Sequence, residues 1–182
     1  MNRKNIASLV LLTLLAACGG DTPAQPRAAD TGGTADAAAG FALASDPGDA
    51  LTVVEAKQAG PSDAVLVVQG RVQDITKGFG IVKLMDTALK YCGEVHAEGC
   101  KTPWDYCCDT PEAHRVHELL VEFRGQDGMP VETNGLPRTQ LLDLLKVRGK
   151  MSEDEHGNLV FVADGLWQVD RPTLPDGLNW PQ

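Results

Sequence analysis

Alternation of apolar and polar residues with a period of two is the feature of this 182-residue sequence that most constrains its fold. Along residues 65–74, every second residue from Leu66 to Val72 falls on one face, and polar side chains occupy the other face. Successive side chains of a β-strand point to opposite faces, so the pattern indicates a half-buried strand. Gly70 lies inside this strand and predicts a bulge or a sharp bend.

Four further segments alternate in the same way or are bounded by turn signals. They are predicted as strands over residues 79–86, 116–124, 145–151 and 159–169. Helix start signals at residues 46–49 predict a short helix that ends before Gly60. One or two helical turns are expected over residues 139–144.

Five strands, the first of them long and kinked, predict a small closed barrel, because closure removes exposed sheet edges. The order of segments 67–72, 79–86 and 145–150 resembles an OB fold. The predicted fold class is therefore mainly all-β: a five-stranded OB-like β-barrel with one short N-terminal helix and a cysteine-rich insertion over residues 87–113. A β-sandwich and an SH3-like barrel are the alternatives.

The N-terminus has the order of an export signal. Arg3 and Lys4 precede an apolar stretch over residues 6–17, which ends in small residues before Cys18. Leu15 to Cys18 resembles the lipobox of bacterial lipoproteins. This resemblance implies that acyl chains such as palmitate on Cys18 anchor the protein in membrane lipid, in the cell membrane or outer membrane and facing the periplasm or exterior. An ordinary secretory signal with a chance cysteine is the alternative.

Three regions follow from this pattern. Residues 1–17 are predicted as a lipoprotein signal peptide, and their apolar run is shorter than the ~20 residues of a spanning helix. Residues 18–47, mostly Gly, Ala, Thr, Asp, Pro and Gln, are predicted as the lipidated cysteine and a disordered tether. Residues 48–182 are predicted as the barrel domain.

Charge and motifs exclude several functions. The chain has 16 basic and 25 acidic residues, a net charge of -9, and loss of residues 1–17 removes two further positive charges. Such an acidic chain is not expected to bind nucleic acid, which requires clustered Lys and Arg. Phosphate-binding loops, zinc-protease motifs and nucleophile elbows do not occur in the sequence. The sequence therefore predicts a protein that is not an enzyme.

Four cysteines, Cys92, Cys100, Cys107 and Cys108, lie within 17 positions. With Cys18 lipidated, their even number in an exported domain predicts two disulfides and no cofactor. A bond between the neighbours Cys107 and Cys108 would be strained. Cys92 and Cys100 are therefore expected to pair with Cys107 and Cys108, in either order.

A metal or haem site is the main alternative for these residues. The four thiols together with His114 and His117 suit zinc or copper, and haem is a further possibility. The vicinal pair argues against a single ion, because neighbouring cysteines rarely both ligate one metal. A redox-active thiol pair that exchanges disulfides is a third hypothesis.

Residues 100–108 read Cys-Lys-Thr-Pro-Trp-Asp-Tyr-Cys-Cys. They resemble the Cys-x-Thr-Pro-Trp-Asp-Tyr-Cys-Cys signature of a group of uncharacterised bacterial lipoproteins with an OB-like domain, and the resemblance extends over roughly residues 50–170. It implies export, lipidation and a small β-barrel. It carries over no catalytic residue, and His96 lies outside the signature.

Trp104, Asp105 and Tyr106 form a candidate ligand platform, because OB folds commonly bind ligands on aromatic surfaces near the barrel mouth. Alternatively, the two aromatic rings cover the cysteines as a satellite core. The sequence thus favours a membrane-anchored, non-enzymatic binding or assembly module for an envelope protein or small ligand. A metal or haem handling protein is the alternative function.

Overall fold

The computed structural model describes residues 40–95, 100–132, 136 and 139–173. Within these ranges the chain forms six strands and three short helices. In chain order they are β1 (Leu51–Thr52), α1 (Val53–Ala59), β2 (Leu66–Ile75), β3 (Ile81–Met85), α2 (Cys92–Val95), α3 (Pro111–His117), β4 (Glu118–Phe123), β5 (Leu144–Glu153) and β6 (Leu159–Asp170). No helix among the described residues is long and apolar enough to cross a bilayer.

The strands form one mixed sheet in the order β1-β2-β3-β4-β6-β5, and β2 also pairs with β5. The first half of β2 is antiparallel to β5, and its second half is antiparallel to β3. The pairs β1–β2 and β4–β6 are parallel, whereas β3–β4 and β5–β6 are antiparallel. Each strand from β2 to β6 therefore has a partner on both sides.

The mainly β prediction is confirmed, and the strand count differs from it. The described residues contain six strands rather than five, because Leu51–Thr52 adds a two-residue strand beside β2. The helical turns predicted over residues 139–144 are wrong. Leu142 has a φ of 64° there and donates its N–H to the Val72 carbonyl at 2.7 Å. These backbone contacts hold the segment in a turn that leads directly into β5.

The alternation read from the sequence separates core from surface as expected. In β2, Val68, Gly70 and Val72 are buried while the residues between them are half-buried. The short predicted helix is α1, which buries Val53 and Ala56 against the same core. The other fully enclosed members of this core are Val82, Leu84, Val121, Phe123, Val147 and Phe161.

Ordered contacts begin earlier than the predicted tether boundary at residue 47. The Phe41 ring meets Phe123 edge-on at 5.1 Å, and the Leu43 N–H donates to the Leu166 carbonyl at 2.8 Å. Phe41 and Leu43 are apolar residues in a segment that otherwise consists of small and polar residues. Phe41 packs against Phe123 of β4, and the backbone of Leu43 bonds to β6. The predicted signal peptide and residues 18–39 of the predicted tether, which include Cys18, lie outside the described residues.

The β5–β6 pair approaches too closely for a side chain at Gly149. A Cβ atom there would collide with the Val162 carbonyl oxygen and would lie 2.8 Å from the Ala163 Cα. Both obstacles are backbone atoms of the neighbouring strand, so neither can rotate away. The register of this pair shifts between Arg148 and Gly149, which marks a bulge at the same point.

We expect Gly149→Ala to lower the free energy of unfolding by about 3 kcal/mol, because the strand pair must separate to admit a methyl group. Gly125→Ala is the matched control: its Cβ would meet only a side-chain oxygen, that of Asp127, at 3.0 Å. Its cost should stay below about 0.5 kcal/mol. Urea denaturation of both variants provides the measurement. Equal stability of the two variants would contradict the observed strand separation.

Candidate functional site

The residues between β3 and β4 form the insertion that holds the cysteines, and Asp86 holds its two ends together. This buried carboxylate accepts the Ala88 N–H at 2.9 Å and the Val54 N–H at 3.0 Å. Its own backbone N–H donates to the His117 carbonyl at 2.8 Å. Asp86 therefore caps the turn that follows β3 and also joins α1 to the end of the insertion.

A second, smaller hydrophobic core includes residues of the insertion. Met85, Tyr106 and Leu142 are buried in it, and Tyr91 and Trp104 pack at its edge. Tyr106 is fully enclosed, so of the three predicted platform residues only Trp104 and Asp105 reach the surface. This is the arrangement of the satellite-core alternative.

The Tyr106 hydroxyl has no hydrogen-bond partner among the described residues, and burial raises the pKa of this phenol well above its usual value. Its ring meets His114 edge-on at 6.5 Å, and the His114 Nε2 lies 3.0 Å from the Tyr106 carbonyl oxygen. The backbone and ring of Tyr106 thus hold α3 against the rest of the insertion, while its hydroxyl makes no hydrogen bond among the described residues.

Two backbone hydrogen bonds bring the first cysteine to the last two. The Cys92 N–H donates to the Asp105 carbonyl and the Gly93 N–H to the Pro103 carbonyl, both at 2.7 Å. A Cβ at Gly93 would lie 3.0 Å from that Pro103 oxygen, so the glycine permits the close approach. The start of α2 is thereby held against the Cys-x-Thr-Pro-Trp-Asp-Tyr-Cys-Cys segment.

Three sulfur atoms converge as a result. The Cys92 Sγ lies 3.3 Å from the Cys107 Sγ and 3.6 Å from the Cys108 Sγ, and all three sulfurs fall within 4.8 Å of one another. Cys92 is buried at the base of this thiol cluster, while Cys107 and Cys108 are exposed. Cys100 is half-buried and does not belong to the cluster.

The structure carries all four of these cysteines as free thiols. Cys92 lies near both Cys107 and Cys108, so the predicted disulfides and their pairing stay a prediction. Burial raises the pKa of Cys92, and the hydrogen bond shared with Cys92 raises the pKa of Cys108. Both shifts favour the protonated thiol, and the redox-active pair stays a hypothesis.

The histidines of the metal alternative do not join the sulfurs. His114 is engaged with Tyr106, and neither it nor His117 belongs to the thiol cluster. His96 lies outside the described residues. The ligand set that the structure brings together is therefore all-sulfur.

Arg71 connects strand β2 to the insertion. Its guanidinium stacks over the Tyr91 ring at 5.5 Å and donates to the Leu142 carbonyl at 3.2 Å. It also lies 3.8 Å from the Glu94 carboxylate on α2, so α2 is tied to β2 by charge as well as by packing.

A cleft of about 490 Å³, lined in part by α3 of the insertion, was missed by the sequence reasoning. Residues from α1, α3, β3, β4 and the turn between β5 and β6 line it: Lys57, Lys83, Arg115, Glu118, Leu120, Asp154, Gly157, Asn158 and Leu159. The only sequence signal for it was the outward position of Lys83 in the alternation of its strand.

Lys57 forms one wall of the cleft. Its ammonium donates to the Arg115 carbonyl at 2.5 Å and to the Glu118 carbonyl at 2.9 Å. Loss of hydration lowers the pKa of Lys57, while the Glu118 charge acts in the opposite direction. The Lys83 ammonium lies 3.7 Å from the Glu118 carboxylate, and the Arg115 guanidinium pairs with Glu112 at 2.7 Å. The cleft is therefore lined by three basic side chains and two acidic ones, Glu118 and Asp154.

No known protein family matches the chain, and no relative is found among curated proteins.

We expect Tyr106→Phe to raise the free energy of unfolding by about 1 kcal/mol, because the substitution removes a buried hydroxyl that lacks a partner. Tyr91→Phe, at a half-buried position in the same small core, should leave stability unchanged. Thermal or urea denaturation measures both. A loss of more than about 1 kcal/mol in Tyr106→Phe would show that the hydroxyl is hydrogen-bonded in solution.

Proposed function

We propose that this chain is an exported lipoprotein, anchored in membrane lipid through acylated Cys18, that displays an OB-like barrel as a non-enzymatic binding or assembly module. The export signal and the lipobox-like residues before Cys18 support the anchor. Two or three acyl chains would hold such a module at a bilayer almost irreversibly, since each buried methylene contributes about 0.8 kcal/mol.

The cycle of strand pairings supports the OB-like assignment. The pairs β2–β3, β3–β4, β4–β6, β6–β5 and β5–β2 return to their starting strand, and β4 and β6 are parallel. Five strands that are each paired on both sides leave no free edge within the cycle. A sandwich of two separate sheets would leave edge strands, so these pairings favour a closed five-stranded barrel.

The position of the cleft is the observation that carries the binding role. OB folds bind ligands on the face of their second and third strands and at the loop between the fourth and fifth. With β2 as the first barrel strand, those elements are β3, β4 and residues 154–158. Lys83, Leu120 and Asn158 come from these three elements and line the same cleft.

The chemistry of the cleft favours binding over catalysis. The Asp154 carboxylate accepts the His156 and Asn158 N–H groups, both at 2.8 Å, and the Asn158 side-chain amide at 2.9 Å. These bonds lower the pKa of Asp154 and commit it to closing the turn. Lys57, Lys83 and Arg115 give the cleft a cationic character in an acidic chain. We propose that it receives an acidic group of an envelope protein or small ligand.

In-cell photocrosslinking tests this role. A photoreactive amino acid at Leu120, inside the cleft, should give a discrete adduct, whereas the same residue at exposed Val169 should not. Reversing two charges with Lys83→Glu and Arg115→Glu should reduce the adduct about tenfold. Lys150→Glu, at a half-exposed lysine outside this cleft, is the matched control. An adduct insensitive to the double reversal would contradict the proposal.

The anchor has a separate test. Cys18→Ser should move the protein from the membrane fraction to the aqueous fraction and abolish incorporation of labelled palmitate, because the acyl chains are lost. Fractionation and labelling of the expressed full chain measure both effects. Palmitate incorporation that persists in Cys18→Ser would contradict lipidation at this residue.

A further inference from the structure

We propose that Cys92, Cys107 and Cys108 form a binding site for a thiophilic d¹⁰ metal ion, zinc(II) or copper(I). This inference concerns the thiol cluster and is independent of the cleft. Soft thiolate ligands select these ions over magnesium, calcium or manganese. The three sulfurs are the only described group of His, Cys, Asp and Glu side chains close enough together to share one ion.

The sulfur separations are close to those of a loaded site. Metal–sulfur bonds of about 2.3 Å at tetrahedral angles place two ligating sulfurs about 3.8 Å apart. The observed distances from the Cys92 Sγ are 3.3 Å to Cys107 and 3.6 Å to Cys108. An ion would therefore need to move the Cys92 sulfur away from the other two by about half an ångström or less.

The backbone already holds the site together. Hydrogen bonds of 2.7 Å join Cys92 to Asp105 and Gly93 to Pro103, and these contacts fix the buried sulfur beside the exposed pair. Cys92 forms the floor, and Cys107 and Cys108 are open to solvent, so an ion can enter from outside. Binding would require little reorganisation of the described residues.

The vicinal arrangement does not oppose the site, although the sequence reasoning took it to do so. Cys107 and Cys108 follow one another, yet both sulfurs face Cys92. The fold thus places one distant cysteine between two neighbours and supplies three sulfurs around a common point.

Metal binding by the three cysteines requires no oxidant or reductant. Three thiols lose three protons as the ion binds, and no electrons are transferred. The disulfide alternative is different, since joining Cys92 to Cys107 or Cys108 removes two electrons and two protons and requires an oxidant. A disulfide through Cys92 would also destroy the three-sulfur site, so the two states exclude one another.

The test uses the full chain in detergent, reduced and desalted without oxygen. Titration with zinc(II), and separately with copper(I), against a coloured competing chelator should give one ion per chain for at least one metal. Loading should protect three of the four domain cysteines from alkylation in intact-mass measurements. The two titrations identify which ion the site takes.

The variants assign the ligands. Cys107→Ser and Cys108→Ser change exposed side chains and should leave the fold intact, which circular dichroism verifies. Each should weaken metal binding by about 100-fold, because one of three ligands is lost. Cys100→Ser, outside the cluster, is the matched control and should bind within about threefold of the unaltered chain.

Three results would overturn the proposal. One is a reduced chain that takes up neither ion stoichiometrically. The second is a Cys100→Ser variant that loses as much affinity as Cys107→Ser. The third is binding by Cys107→Ser and Cys108→Ser that equals that of the unaltered chain. A chain that resists alkylation before reduction, holds no metal and binds none after reduction would establish structural disulfides instead.

Discussion

Strand β2 is the element on which the rest of the structure depends, because, besides the two-residue β1, it pairs with β5 along its first half and with β3 along its second half. Residues 66–71 pair with β5, and residues 71–75 pair with β3. A strand that pairs with one neighbour along its first half and with another along its second half must bend where the first set of pairs ends and the second begins. Gly70 stands at that point, and a Cβ there would lie 3.0 Å from the Met85 carbonyl and 3.1 Å from the Leu84 Cβ.

The bent strand β2 also helps to position the insertion that carries the cysteines. Arg71 follows Gly70 and reaches across to Tyr91 and Glu94 in the insertion, while Asp86 anchors the insertion to α1. The cysteines therefore lie on a segment fixed at both ends to the sheet. This fixation explains how a short, loop-rich stretch can bring the Cys92 sulfur to two others without a large core of its own.

The local alternation of residue types was sufficient to predict the strands, but it did not predict the thiol cluster or the cleft. Alternation at period two identifies β2 to β6, since each strand has one buried face that the residue types record directly. The convergence of Cys92 with Cys107 and Cys108 depends on backbone bonds to Pro103 and Asp105, which leave no periodic trace. The cleft depends on Lys57 reaching carbonyl groups 58 and 61 residues away, which no local motif encodes.

Two of the differences between the predicted and observed structure have the same origin. Residues 139–144 have helix-compatible composition, but Leu142 and Asp143 exchange backbone hydrogen bonds with Val72, and this tertiary contact prevails over propensity. Composition likewise assigned Phe41 to the tether, although its ring packs against Phe123. In both cases a long-range partner decides the local conformation.

Interstrand nuclear Overhauser effects along β2 test the central claim most directly. The double pairing predicts contacts from Val68 to Val147 in β5 and from Val72 to Leu84 in β3, observed together in one folded species. A β2 strand with contacts to only one of these neighbours would contradict the closed cycle, and with it the barrel and the placement of both sites.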